Sequence, residues 1–180
     1  IIQLIKKNNQ SSNITNDDEP DKYYRTSNTS HLDITNPIVK QLDKNICNYI
    51  GISNDRSEQT QGQYYKIGNE FKKHTDWFDP NNYKEWHTYG EDMGQRTWTF
   101  MIYLNDVPKG GSTYFHKIDF NIHPIKGRAV VWNNIYPDGN VNKNTLHSGQ
   151  PVLEGEKYII TKWFRSRGKL NTPFLLLEGN

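Results

Sequence analysis

Past Gln61 no stretch of this chain keeps one character for long, and that constrains its fold more than anything else in it. Segments 63–67, 97–104, 113–115, 121–123, 129–133 and 157–164 read as short β-strands, and glycine and proline turns fall between them: Pro108-Lys-Gly-Gly, Lys126-Gly, Pro137-Asp-Gly and Glu154-Gly. In 97–104 the residues Trp98, Phe100, Ile102 and Leu104 alternate with Thr97, Thr99, Met101 and Tyr103, the pattern of a strand whose two faces meet different surroundings. One helix precedes the strands. Ile34, Ile38, Leu42, Ile46 and Ile50 recur every fourth position, Asp33 or Thr35 supplies a cap, Pro37 fits a first turn, and Gly51 sits where the helix would stop. A helix followed by many short strands predicts a mainly β chain with flanking helices (α+β), built as a small barrel or jelly roll.

With 180 residues the chain has enough material for one domain with a real core. Hydrophobic residues are only 33%, but aromatics reach 13%, which a disordered chain would lack. The polar run 6–21 is aperiodic, so residues 1–22 are expected to be a flexible entry and 23–180 a single domain. A net charge of +2 gives no case for a nucleic-acid partner. No apolar run approaches the roughly 20 residues of a membrane span, so a soluble domain is expected. A single cysteine, Cys47, excludes an intrachain disulfide and a cysteine-based zinc site. Residues 77–95 show no strand pattern and many aromatics, too long for a passive connection, and are expected to form a lid or binding loop.

The chemistry begins at Lys73-His74-Thr75-Asp76. Residues i and i+2 of a strand share a face, so His74 and Asp76 can grip one ion together. Alone, an H-x-D pair is weak evidence. His147, in Thr145-Leu-His-Ser-Gly before another strand, is the best third ligand. Two histidines and a carboxylate leave open positions on Fe(II) for a bidentate co-substrate and dioxygen. Lys157, ten residues after His147 and across a turn, can pair with the far carboxylate of such a ligand. Tyr65 and Thr99 can add hydroxyls to that carboxylate, and Trp163, on Lys157's face of its strand, can wall the pocket.

These elements, over roughly Tyr23 to Arg165, make the chain resemble the collagen-type prolyl 4-hydroxylases, including their small plant, algal and viral forms. The resemblance is carried by Arg25-Thr-Ser, Tyr65-x-x-Gly68-x-x-Phe71-x-x-His74-x-Asp76, Gly94-Gln-Arg-Thr-Trp-Thr, and Tyr103-Leu-Asn-Asp-Val-Pro-Lys-Gly-Gly-Ser-Thr-Tyr-Phe. It continues in His123-Pro-Ile-Lys-Gly, Trp132-Asn, Pro137-Asp-Gly, Leu146-His-Ser-Gly-Gln-Pro-Val-x-x-Gly-Glu-Lys157 and Trp163-Phe-Arg. It implies a double-stranded β-helix core, iron on His74, Asp76 and His147, and the distal carboxylate of 2-oxoglutarate on Lys157. Tyr65, Thr99 and Trp163 match positions lining the co-substrate pocket. Arg25, Thr26 and Ser27 match a mobile loop that closes over the peptide; Phe71 stands near the substrate where the family commonly has tyrosine.

The implied reaction hydroxylates peptidyl proline at C4, consumes 2-oxoglutarate and O2, and releases succinate and carbon dioxide, with ascorbate restoring oxidised iron. The implied partner is a proline-rich or collagen-like peptide, for which Trp77, Phe78, Tyr83, Trp86 and Tyr89 can line a groove or merely cap the barrel mouth. Two alternatives stand beside this: the same chemistry on another residue or target, and a catalytically silent peptide-binding barrel. The family's cellular members are usually in the secretory pathway, and viral and cytosolic settings also stay open. Oligomeric state is not legible.

Overall fold

The computed structural model describes residues 1–8, 10–11 and 24–168. Its larger sheet has six antiparallel strands in the order β1 (Gln10–Ser11), β2 (Asn28–His31), β3 (Gln61–Tyr65), β12 (Lys157–Arg165), β5 (Arg96–Tyr103) and β9 (Ala129–Asn133). The smaller has four, in the order β4 (Phe71–His74), β10 (His147–Gly149), β7 (Thr113–Phe115) and β8 (Phe120–Ile122). A two-stranded ribbon pairs β6 (Lys109–Gly110) with β11 (Val152–Glu154). Neighbours distant in sequence, as in β4–β10 and β3–β12, are what two facing sheets of a jelly roll require. The expected strands recur within a residue or two of their bounds, and β1, β2, β4, β6, β10 and β11 are added.

The alternation in β5 sorts the side chains of the large sheet between two cores. Phe100 of β5, with Tyr158, Ile160 and Phe164 of β12, faces outward onto Ile5, Leu32, Val39 and Ile46. Met101 and Tyr103, with Tyr65, Trp132 and Ile159, face the smaller sheet and meet Phe115 and Val152. A buried ion pair joins the outer layer to the sheet: Lys162 Nζ lies 3.1 Å from Asp43 Oδ1, which also accepts from the Thr60 hydroxyl at 2.6 Å.

Two helices cover the outer face. α2 (Pro37–Ile50) starts at Asn36, whose side chain accepts from the Ile38 amide, and ends at Gly51 with φ 74°. The cap is therefore Asn36, not Asp33 or Thr35. The buried row is Val39, Asp43, Ile46 and Cys47, whereas Ile34 and Ile38 are 54% and 59% exposed, so the every-fourth stripe is corrected. A strict four-residue repeat drifts around a helix of 3.6 residues per turn, and the face against the sheet follows i, i+4, i+7, i+8 instead. α1 (Ile2–Lys7) corrects the expectation of a flexible entry for the first residues: Ile5 is fully buried against β3. Gly62 makes the space, since a Cβ there would lie 2.3 Å from Ile5 Cγ1. The remainder of that expectation, residues 9 and 12–22, lies outside the described residues. Between Asp76 and β5 the chain is more ordered than a plain loop, with a helical turn α3 (Tyr83–Glu85) capped by Asn82 and a wider turn Trp86–Gly90.

Candidate metal and co-substrate site

Antiparallel pairing of β4 with β10 places His147 directly opposite His74, and Asp76 follows two residues after the end of β4. One ligand atom from each of the three lies within 4.8 Å of the others, and they are the sole such cluster among the described residues. The donor set is already oriented. His74 Nδ1 meets the Lys72 carbonyl at 2.7 Å and His147 Nδ1 meets the Thr145 carbonyl at 2.8 Å. A carbonyl can only accept, so each Nδ1 carries the proton and each Nε2 keeps its lone pair for an ion. Burial and the adjacent His147 push His74 down to about 3, so the imidazole stays neutral. Burial alone would raise the Asp76 carboxyl, but His147, His74, Arg96 and the Thr99 hydroxyl together hold it below the usual carboxylate range. Phe71 stacks on the His74 ring at 3.6 Å, and Trp132 stands edge-on to His147 at 4.9 Å, fixing both rings. Two imidazole nitrogens and one carboxylate oxygen on one side of a small cavity fit Fe(II), which takes this donor set with positions left open.

Lys157, Tyr65 and Trp163 line the same cavity, with Met101, Thr113, Thr161, Ile159, Gln63 and Gly149. Lys157 is 1% exposed, its Nζ donates to the Gly111 carbonyl at 3.1 Å and lies 3.9 Å above the centre of the Tyr65 ring. Burial pushes its pKa down to about 7, and no carboxylate among the described residues offsets that. A buried ammonium facing a cavity without a counter-charge is a receptor for an anion.

Thr99 corrects the expectation that it lines this pocket. Its hydroxyl, fully buried, donates to Asp76 Oδ2 at 2.7 Å and accepts from Asn134 Nδ2 at 2.8 Å. Thr99 thus steadies the Asp76 carboxylate and has no proton left for a co-substrate. Tyr65 lies where expected, but its hydroxyl donates to Gln63 Oε1 at 2.8 Å. Trp163 is buried beneath the Arg96 guanidinium, 3.9 Å above its ring, and Arg96 in turn makes a bidentate pair with Glu58 at 2.6 and 2.7 Å. Arg165 binds the same carboxylate at 2.7 Å. Burial would raise Glu58, and the two guanidiniums hold it below the carboxylate range.

The Arg25-Thr26-Ser27 segment is pinned along β4. The Thr26 amide donates to the Glu70 carbonyl at 3.0 Å, the Lys72 amide to the Tyr24 carbonyl at 2.9 Å, and Arg25 lies 4.9 Å above the Phe71 ring. Arg25 also donates to the Ser27 and Thr29 hydroxyls. Phe71 offers no hydroxyl and serves as the face under His74. Trp77 follows Asp76 directly but is not part of the cavity wall. Gln63, Thr161, Asn134, Arg96 and Glu58 were missed from the sequence. Even spacing places Gln63 on the face of Tyr65, and Thr161 on that of Lys157 and Trp163. That signal was available; the cross-chain pairings of Asn134 and Glu58 left none.

A two-histidine, one-carboxylate cluster between the sheets of a jelly roll is the donor set that non-haem Fe(II) takes, and the buried ammonium on the same cavity is a receptor for an anion. Residues 60–165 match the family model described as 2OG-Fe(II) oxygenase superfamily, and the chain belongs to that superfamily. It is 32% identical over 151 residues to the prolyl 4-hydroxylase subunit alpha-1 of Gallus gallus and, equally, of Homo sapiens. The matched region is 82% of this chain but only 28% and 27% of those relatives. Among solved structures it resembles the viral collagen prolyl hydroxylase of Paramecium Bursaria Chlorella virus-1 in its 2OG complex. That likeness has a TM-score of 0.65 and 26% identity, over 77% of this chain and 79% of that one. A Pseudomonas putida prolyl-4-hydroxylase shares the fold at 18% identity and a TM-score of 0.61, over 89% of this chain and 78% of that one.

Proposed function

We propose that this chain is the catalytic unit of a peptidyl-proline 4-hydroxylase using Fe(II), 2-oxoglutarate and O2. The observation that carries the reading is the pairing of a preset His74–Asp76–His147 cluster with an uncompensated buried ammonium, Lys157, on one cavity. In this reading the three ligands hold iron, and Lys157 binds the distal carboxylate of 2-oxoglutarate through a charge-assisted hydrogen bond. Trp163, Met101 and Ile159 exclude water from the cavity. When bound, iron with 2-oxoglutarate and O2 supplies oxidative decarboxylation to succinate and carbon dioxide coupled to insertion of one oxygen atom into a C–H bond. The protein's part is to hold and orient; no side chain is needed as a general base. Ascorbate is expected to prolong turnover by keeping the iron reduced.

Proline as the target is supported by the relatives, both of which are named as prolyl 4-hydroxylase subunits, and by the viral collagen prolyl hydroxylase. A proline-rich or collagen-like peptide would run as an extended polyproline II strand past the cavity mouth, a form that aromatic surfaces recognise well. Tyr83, 78% exposed, and Tyr89, 41% exposed, are available for that contact on the segment after Asp76. Retention of all three ligands and of Lys157 argues against a silent binding barrel. The test is succinate release by the iron-loaded protein with Pro-Pro-Gly or Pro-Ala-Pro-Lys repeat peptides, beside His74→Ala. Peptide-stimulated turnover with one oxygen gained on proline, lost in the variant, supports the reading. Turnover indifferent to every proline peptide would keep the iron chemistry and reject proline.

A further inference from the structure

Gln63 is a polar side chain inside the co-substrate cavity that no metal or ion pair accounts for. It sits in mid-strand on β3, 4% exposed, opposite Ile159 of β12 and two residues from Tyr65 on the same face. Its carboxamide is held at both ends: Oε1 accepts from the Tyr65 hydroxyl at 2.8 Å and Nε2 donates to Thr161 Oγ1 at 3.1 Å. An amide nitrogen carries two N–H groups, and the second has no acceptor among the described residues. A buried donor without an acceptor is costly unless a ligand supplies one.

From this geometry we infer that Gln63 is a further co-substrate-binding residue, donating its free N–H to a carboxylate oxygen of the 2-oxo acid and presenting Tyr65 and Thr161 as one rigid polar wall. The inference rests on the reading of this cavity as the 2-oxoglutarate site. The wall supplies a neutral donor beside the cationic Lys157, so anion binding is divided between a charge and a fixed dipole. Leucine at 63 fills nearly the same volume but removes the donor. Glutamate at 63 keeps the shape and sets a carboxylate against the incoming one, an arrangement that costs affinity in a buried site.

The experiment is anaerobic calorimetric titration of 2-oxoglutarate into the Mn(II)-loaded protein, with Mn(II) affinity and unliganded Tm measured separately. Gln63→Leu should weaken 2-oxoglutarate binding by about ten-fold, the order of one hydrogen bond to a charged group. It should leave Mn(II) affinity near that of the parent and lower the unliganded Tm only modestly, by the two hydrogen bonds lost at Tyr65 and Thr161. Gln63→Glu should weaken binding further, again without loss of Mn(II). Unchanged or tighter 2-oxoglutarate binding in both variants would overturn the inference, as would a parallel fall in Tm, Mn(II) affinity and co-substrate affinity, the mark of a merely structural amide. Lys157→Met is the control for the underlying reading. If the parent binds 2-oxoglutarate and Lys157→Met does not, the site stands whatever Gln63 does; if the parent fails to bind, the site reading itself falls.

Discussion

Burying the Lys157 ammonium with one carbonyl and the face of Tyr65 as partners opposes folding, and an anionic ligand offsets that more fully. Its pKa falls from 10.5 in the unfolded chain to about 7 in the fold, so between those values the unfolded state binds more protons. Stability without ligand should therefore rise as pH climbs from about 7 towards 10.5, and the full penalty should apply below 7. Lys157→Met should then be more stable than the parent, by roughly 1–4 kcal/mol below neutral pH, while 2-oxoglutarate raises its Tm only at far higher concentration. Scanning calorimetry with and without the co-substrate checks both, and a destabilised variant would show that Lys157 is held by contacts not described above. Thr99→Val tests the other reassigned residue. Removing the hydroxyl from Asp76 should weaken Fe(II) binding by about 10–100-fold and leave 2-oxoglutarate affinity for the metal-loaded protein unchanged; the opposite pattern would return Thr99 to the co-substrate pocket. The convergence of His74, Asp76, His147 and Lys157 on one cavity was legible because strand spacing of two and a short return turn fix which side chains meet. Thr99 was misread because its face was legible but its partner was not: whether a hydroxyl reaches the metal ligand or the co-substrate depends on how Asp76, 23 residues away, folds back over β5.

The elements show where periodicity suffices and where it does not. β5 and β12 were plain from alternation and length, since each side chain faces one of two apolar layers. β4 and β10 carry His74 and His147 yet have only four and three residues, too few for a pattern; they exist by pairing with each other and with β7. α1 has six residues and no side-chain cap, and is held by its burial over Gly62 rather than by its own propensity. Ile5→Ala should accordingly cost about 2–5 kcal/mol, read as a lower urea midpoint with an unchanged slope. A midpoint equal to the parent's would mean that the entry segment contributes nothing to the core. The cap on α2 makes a smaller claim: Asn36→Ala should cost about 1 kcal/mol in the same assay, where Asp33→Ala should cost less.

At the scale of the whole molecule, the jelly roll solves a placement problem. The two histidines are far apart in sequence, Lys157 lies on the large sheet, and all three meet only because β10 pairs with β4 while β12 runs through the centre of the opposite sheet. The fold class was legible from strand length and turn spacing; the pairing order was not, because no local signal says which strand lies beside which. The central claim is that iron and 2-oxoglutarate occupy one cavity together, held by groups from both sheets. The most direct measurement is the visible charge-transfer absorption of an Fe(II)–2-oxo acid chelate, titrated without oxygen in the parent, His147→Ala and Lys157→Met proteins. The account predicts a saturable band in the parent, none in His147→Ala, and a band reached only at far higher 2-oxoglutarate in Lys157→Met. A parent protein that binds Fe(II) but develops no band, or a band indifferent to Lys157, would contradict it.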